Sequence, residues 1–455
     1  MTSNDRPCAV VILAAGQGTR MNSDLPKVLH RIAGAPLVVH AMEAAAALDP
    51  SRMIVVTGHG ADKVEKAVTA HEEAAVCVRQ TEQLGTGHAV LQAAPALDGF
   101  DGDVIVLYGD TPFISSDTLA TMRAARAAHD IVMLGFEAKT PGRYGRLVMQ
   151  GRDLSRIVEA KDATPEELAI TFCNSGLMAA DAATVMRLLA QVGNDNASGE
   201  YYLTDVPALA RAEGLTATAI ACDEAETLGV NSRAELAAAE ALFQRRKRAD
   251  VLAEGVTMTA PDTVFFAYDT WIGRDVVIEP NVVFGPGVTV ENDATIRAFS
   301  HLEGCHLGAR TTVGPYARLR PGAELGNDAK VGNFVEVKSA EIGEGAKVNH
   351  LSYIGDAAIG DGSNIGAGTI TCNYDGVFKH RTTVGRNAFI GSNTMLVAPV
   401  SVGDGAMTGS GSVITSDVPA GDLALARAKQ VNKTGLGARL MARLHAMKAE
   451  QKQGR

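Results

Sequence analysis

The apolar positions of this chain follow two different patterns. In the first half, continuous apolar runs alternate with alanine-rich, charge-bearing stretches. "AVVILAAG" (9–16), "RMIVVTG" (52–58), "DVIVLYGD" (103–110) and "DIVMLGF" (130–136) read as buried parallel strands, the first ending in a glycine turn. Segments 35–48, 61–72 and 86–97 between them read as helices. That alternation predicts an open α/β sheet covered on both faces, with ligands beyond the carboxyl ends of its strands. Residues 233–253, "RAELAAAEALFQRRKRADVLA", hold no breaker and predict a linker helix.

The second half repeats an aliphatic residue followed by glycine. Ile342-Gly343, Ile354-Gly355, Ile359-Gly360 and Ile365-Gly366 are examples, and many spacings are six or twelve. A hexapeptide period predicts a parallel β-helix. Three six-residue faces make one coil, the aliphatic residue points inward, and the glycine is expected to permit the turn. Coils then stack, each covering its neighbour's open ladder. Within this array "GTITCNYDGVFKHRTTVG" (368–385) breaks the rhythm. Counted from Ile365 to Val384 it adds one residue to a coil of eighteen, which predicts a loop that holds out Asn373, Tyr374, Asp375 and Gly376.

Composition narrows the function classes. The chain has 455 residues, enough for two domains, and a formal net charge of −10, which disfavours general nucleic-acid binding. Six cysteines without a CxxC pair suit reduced thiols and a cytoplasmic protein. No segment is long and apolar enough to predict a membrane span, and "CAVVILAAG" lacks the flanks of a signal peptide.

The first candidate site follows the first strand. In "LAAGQGTRMNSDLPK" (13–27) glycines allow backbone N–H groups close to a phosphate, and Arg20 and Lys27 add positive charge. The spacing fits neither GxxxxGK[ST] nor GxGxxG. Asp110, ending a buried strand, is a candidate Mg²⁺ ligand.

"LAAGxGTRM" followed by "PK" resembles the signature of sugar-1-phosphate nucleotidylyltransferases. The likeness continues through "QLGTGHA" (83–89), "YGD" (108–110), "GRYGR" (142–146), "IVEAKDA" (157–163), "NSG" (174–176), "GEYYLTD" (199–205) and "GVNSR" (229–233). With the hexapeptide half, the chain resembles the bifunctional family that joins N-acetylglucosamine-1-phosphate uridylyltransferase to glucosamine-1-phosphate N-acetyltransferase. The resemblance implies an α/β nucleotidylyltransferase (Rossmann-like) domain at 1–232, the linker helix 233–253, a left-handed parallel β-helix acetyltransferase domain at 254–435 and a tail at 436–455. It implies acetyl transfer from acetyl-CoA to glucosamine 1-phosphate, then uridylyl transfer from UTP with release of pyrophosphate. The product would feed peptidoglycan and lipopolysaccharide precursors.

The resemblance also implies roles for particular residues. Leu13, Ala14, Ala15, Gly16, Lys27, Gln80, Gly85, Thr86, Tyr108, Gly109 and Asp110 would hold the nucleotide, with Gln80 and Gly85 near the uracil. Gly145, Glu159, Asn174 and Asn231 would hold the acetylamino sugar. Asp110 and Asn231 would ligate Mg²⁺, and Arg20 and Lys27 would stabilise developing charge. No general base is needed, because the attacking phosphate is already an anion. Where relatives often read "NTG", this chain has Asn174-Ser175-Gly176.

Acetyl transfer does need a base, since the acceptor ammonium must lose a proton, and His is the usual one. His350 in "KVNHLSYIGD" takes that place by resemblance. Arg320, Lys338, Tyr353 and Asn364 would bind glucosamine 1-phosphate. Ala367, Asn373, Tyr374, Ser392, Ser410 and Arg427 would bind acetyl-CoA, with Tyr374 a candidate oxyanion donor. The family forms trimers with sites between neighbours, so a homotrimer is implied.

On the residues alone, three other readings stay open. One is a monofunctional nucleotidylyltransferase with a structural β-helix. Another is a scaffold solenoid. The third is a zinc hydratase using His301, His306 and His350. The tail carries Arg439, Arg443, Lys448, Lys452 and Arg455, as a short amphipathic helix or a frayed end.

Overall fold

A computed structural model describes residues 6–453, so Arg455 lies outside the described residues. Contacts divide the chain into two units. The first reaches to Asp250 and includes Phe265–Asp269. The second is Val251–Val264 and the chain from Thr270 onward.

The first unit is built on one nine-stranded sheet. Its strands are β1 (Cys8–Ala14), β2 (Arg52–Thr57), β3 (Val76–Arg79), β4 (Asp103–Tyr108), β5 (Ile131–Glu137), β6 (Arg146–Gln150), β7 (Asp153–Val158), β8 (Phe172–Asp181) and β9 (Ala217–Cys222), in the spatial order β3-β2-β1-β4-β8-β5-β9-β7-β6. The strands read from the apolar runs are parallel to one another. The sheet as a whole is mixed, because β8 runs antiparallel between β4 and β5, and β6 and β7 form an antiparallel pair.

Strand alternation explains why both faces are covered. Ala9, Val11 and Leu13 of β1 enter one core, while Cys8, Val10, Ile12 and Ala14 enter the other. Val10, Val11 and Ile12, fully buried, contribute about 1.5–3 kcal/mol each. Leu37–Ala46 and Ala61–His71 are helices, and Thr86–Leu91 is a shorter one followed by a 3-10 turn. The parallel strands β1, β2 and β4 end on the same side. Antiparallel β8 begins there, which brings Asn174 to that edge. Its pairing with β5 slips between Asn174 and Met178, a bulge that holds Ser175 and Gly176.

The helix Arg233–Ala253 contains the division between the units. Phe266 is tied to its Gln244 in both directions, by a backbone N–H to Oε1 at 2.9 Å and by Nε2 to the carbonyl at 2.7 Å.

The second unit is a left-handed parallel β-helix of hexapeptide coils. Met258, Ile278, Ile296, Val313, Val331, Val348, Ile365 and Ile390 stack in register down one inner column, and all are buried. Two expectations are corrected here. Val384 stacks on Ile359 and Ile390 on Ile365, each 25 positions later, where the step before it, Val348 to Ile365, is 17. Ile365 and Val384 are therefore not successive on one column, and the inserted loop is much longer than one residue.

The second correction concerns the repeat glycines. Apart from Gly314, those after the aliphatic residues lack positive φ. They are there because the next coil is too close: a Cβ on Gly343 would lie 2.7 Å from the backbone N of Asp361. Many of the left-handed corners are instead Asp or Asn, such as Asp275, Asn281 and Asn393.

Candidate active sites

The first site is assembled by loops at the strand ends. After β1 the chain turns through 3-10 segments Thr19–Met21 and Lys27–Leu29, anchored by buried Met21. Gly18 (φ 63°) lies against the Lys27 stem, where a Cβ would approach Lys27 Cβ to 2.5 Å. The Gly109 N–H donates to Leu13 O at 2.9 Å, and Val230 N–H donates to Asp110 O at 3.0 Å, which brings Asn231 beside Asp110. Lys27 then donates to Asp110 Oδ2 and, at 2.9 Å, to Asn231 Oδ1. Three predicted residues thus meet around one cation. Two oxygen donors gathered on an ammonium are a donor set suited to a hard divalent ion that keeps water and phosphate in its shell.

Two adjoining cavities share Thr86, Tyr108 and Glu200. One, about 300 Å³, is lined by Leu13, Ala14, Ala15, Gly16, Lys27, Gln80, Gly85, Thr86, Tyr108 and Asp110, among others. The other, about 850 Å³, includes Gly145, Glu159, Asn174 and Gly176. Gly176 (φ 91°) has the Tyr108 ring against it, 2.6 Å from where a Cβ would sit, so a side chain there would collide with that ring. Burial, then the neighbouring Asp110, pushes the Tyr108 phenol above its usual range. Burial likewise raises the Glu159 carboxyl, against a hydrogen bond from Thr204 at 3.3 Å.

Arg20 is exposed and lines neither cavity. Glu200, Tyr202 and Thr204 line the larger one and were not singled out, although the motif "GEYYLTD" contains them. Ser175 replaces threonine without loss of an anchor, since its hydroxyl donates to Leu134 O at 2.8 Å.

In the second unit the predicted residues fall into separate groups. Exposed His350 ends strand Lys347–His350, with Nδ1 2.5 Å from Asn333 Oδ1. A cleft of about 260 Å³ there is lined by Arg297, Lys330, Asn333, Asn349 and His350. Arg320 is paired with Glu336 at 2.8 Å. Tyr353 and Asn373 meet at 3.4 Å, and Asn373 also donates to Asp356. Arg427 donates to Ser410 O at 2.5 Å. Lys338 and Asn364 lie on strands Glu336–Ile342 and Asn364–Ile365. Ala367 accepts from Asn393 N–H at 2.7 Å, and Ser392 from Gly411 N–H at 2.8 Å, both through backbone carbonyls.

The expectation that the loop holds out Asn373 is corrected, since Asn373 is buried. Tyr374 is exposed, but its hydroxyl donates to Gly376 O and its ring lies 4.3 Å from Lys379 Nζ. The loop is organised by Asp375, which accepts from Val377 and Phe378 N–H groups and faces His380 at 2.7 Å. His380 and those amides hold the Asp375 carboxyl down to about 2. Among the described residues, no three His, Cys, Asp or Glu side chains gather as a three-histidine zinc site would.

Comparison with known proteins agrees with this two-part construction. Residues 10–197 match the MobA-like NTP transferase domain, and residues 269–304 and 381–416 match the bacterial transferase hexapeptide. The bifunctional protein GlmU of Jannaschia sp. (strain CCS1) is 69% identical over 98% of this chain and 99% of its own. The chain belongs to the GlmU family. GlmU proteins of Ruegeria sp. (strain TM1040) and Paracoccus denitrificans (strain Pd 1222) are 67% and 63% identical, each over 98% of this chain and 99% of their own. As a member of the GlmU family, the chain is a uridylyltransferase and a glucosamine-1-phosphate N-acetyltransferase in one, with roles in cell-wall precursor synthesis. Its chemistry uses a divalent metal, nucleotide and acyl-CoA. No helix among the described residues is long and apolar enough to cross a membrane.

Proposed function

We propose that the two adjoining cavities of the first unit are the nucleotide and acetylamino-sugar pockets, and that His350 is the general base of acetyl transfer. The observation that carries the first reading is the meeting of Lys27, Asp110 and Asn231, with Lys27 and Asp110 on the wall of the smaller cavity. Asp110 and Asn231 would hold Mg²⁺, which would neutralise charge on the triphosphate. Lys27 supplies fixed positive charge beside the reacting phosphates, and the glycines of loop 13–18 admit backbone N–H donors. Glu159 and Asn174 orient the sugar, so that its phosphate needs alignment and no proton acceptor. Arg20 contributes at longer range, from the same loop.

For acetyl transfer, Asn333 orients the base. With Asn333 Oδ1 accepting from Nδ1–H, the His350 Nε2 lone pair is left to take the proton from the glucosamine ammonium. Arg320 and Lys338 hold the sugar phosphate, Tyr353 and Asn364 the sugar, and Ala367, Asn373, Tyr374, Ser392, Ser410 and Arg427 the acetyl-CoA.

The cleft at His350 is lined by none of Arg320, Tyr353, Asn364 or Arg427, which supports a homotrimer whose neighbours complete the site. A second feature supports it. Phe299, Tyr316, Phe334 and Leu351 occupy successive left-handed corners (φ 60°, 56°, 55° and 53°) and are all exposed. The rings stack at 4.9 and 5.2 Å. Such backbone costs about 1–2 kcal/mol for a residue with a Cβ, and water alone offers these rings no return. Other copies of the chain would cover them. A cytoplasmic location fits the substrates. One incubation with glucosamine 1-phosphate, acetyl-CoA, UTP and Mg²⁺ tests the whole scheme: free thiol, pyrophosphate and UDP-N-acetylglucosamine should all appear.

A further inference from the structure

Gln80 is buried, 4% exposed, at the wall of the smaller cavity. Its Nε2 donates to Gly85 O at 3.2 Å and lies 3.0 Å from Nδ1 of His88. On the other side of the imidazole, Gln92 Nε2 donates to His88 O at 3.0 Å and lies 3.2 Å from His88 Nε2. Two amide nitrogens therefore face the two ring nitrogens of one histidine. A neutral imidazole has one lone pair to offer, so only one amide can donate to it. The other must turn over.

The surroundings decide which one turns. Turning Gln80 would set its Oε1 against Gly85 O in a buried place, acceptor against acceptor, with no water to relieve it. Turning Gln92 gives up one bond to His88 O at a half-buried position, where water can replace it. His88 is then protonated on Nε2 and accepts on Nδ1. Both Gln80 N–H bonds are spent on the protein, and Gln80 Oε1, which has no protein partner among the described residues, is left as a bare acceptor on the cavity wall.

We infer that His88 is a positioning residue for base selection: by accepting from Gln80 it fixes that amide with its oxygen toward the nucleotide, favouring a pyrimidine whose ring N3 carries a proton. Uracil satisfies that acceptor through N3–H. Cytosine presents an N3 lone pair, and a site built to receive a hydrogen bond rejects a ligand that cannot give it. The inference rests on the reading of Gln80 as the nucleobase contact.

The test compares kcat/KM for UTP and CTP in the full-length enzyme. His88→Leu removes one of the two acceptors that hold the Gln80 amide and leaves Gly85 O alone to fix it, so the UTP preference should fall about tenfold or more. His88→Asn keeps an oxygen near the Nδ1 position and should hold the preference within about threefold of the parent. Acetyl transfer by the same preparations serves as the check on folding. ¹⁵N-histidine NMR of the unaltered protein should report His88 protonated at Nε2, and the opposite tautomer would overturn the inference whatever the variants do. A folded His88→Leu protein with unchanged preference would also overturn it. Gln80→Leu separates the two readings. If that change leaves the preference intact, Gln80 does not read the base. If it lowers the preference and His88→Leu does not, the Gln80 reading stands and the role of His88 fails.

Discussion

The two halves of this enzyme place their chemistry in opposite ways. In the first unit, Lys27, Asp110 and Asn231 come from distant parts of the sequence and touch one another. In the second, His350, Tyr353 with Asn373, and Arg427 with Ser410 form separate small groups along a prism. The difference follows from the folds. An open sheet gathers all its strand-end loops at one edge, so a pocket forms within a single chain. A solenoid spreads its residues along an axis and exposes each coil alike, so a pocket needs a second surface brought against it.

The largest expected effect separates the two sites. Asp110→Ala should reduce pyrophosphate release by about a thousandfold or more while leaving thiol release near the parent level. His350→Ala should do the reverse, with a loss of about a hundredfold or more in thiol release and normal uridylyl transfer from supplied N-acetylglucosamine 1-phosphate. Should either variant, still folded, silence both reactions, the independence of the two sites would be lost.

A charge on the aromatic ladder sharpens the same contrast. Phe334→Asp should break the proposed trimer into monomers in analytical ultracentrifugation and lower acetyl transfer about tenfold or more, with uridylyl transfer within about twofold. Loss of both activities together, or a trimer that persists with full acetyl transfer, would argue against shared sites in the second unit alone.

A smaller effect concerns Glu159. Its burial raises its folded pKa above the unfolded value. Its contribution to stability is therefore fully present below the unfolded pKa and lost as pH rises through the folded one. Glu159→Gln, which removes the buried charge, should raise the melting temperature by about 1–3 °C at about pH 8 and leave it unchanged at about pH 4. Its KM for N-acetylglucosamine 1-phosphate should rise, which a purely structural carboxylate would not cause.

Much of this contrast can be read in the chain, and the exceptions have physical causes. Apolar runs revealed β1, β2, β4 and β5, because strands buried on both faces are apolar at every position. β8 does not read as an apolar run: "FCNSGLMAAD" is broken by Asn174 and by Ser175 and Gly176 of the bulge. Thr204 and Glu200 lay inside a quoted motif, but nothing in their residue types separates a pocket wall from a turn. Arg20 drew notice by charge and motif, yet its side chain points to solvent. The hexapeptide rhythm gave the prism, while counting between Ile365 and Val384 misjudged its loop because those two residues belong to different faces.

The repeat glycines offer the finest test, since the same residue serves two ends within three positions. Gly343 follows the inward Ile342, and a Cβ there would come within 2.4 Å of Asp361 Oδ1 and 2.7 Å of Asp361 N. The carboxylate could swing away, but the backbone nitrogen belongs to the next coil, where the Asp361 carbonyl accepts from Asn387 N–H at 2.8 Å. Gly345 has φ 64° and open space where a Cβ would go. Gly343→Ala should therefore destabilise the second unit by about 1–3 kcal/mol in denaturant unfolding, through forced separation of two coils. Gly345→Ala should cost about 1 kcal/mol or less, because the strain of one left-handed alanine, about 1–2 kcal/mol, is partly offset by the greater freedom that glycine loses on folding. Equal losses would mean that glycine recurs in this prism for backbone freedom, and that clearance between coils is incidental.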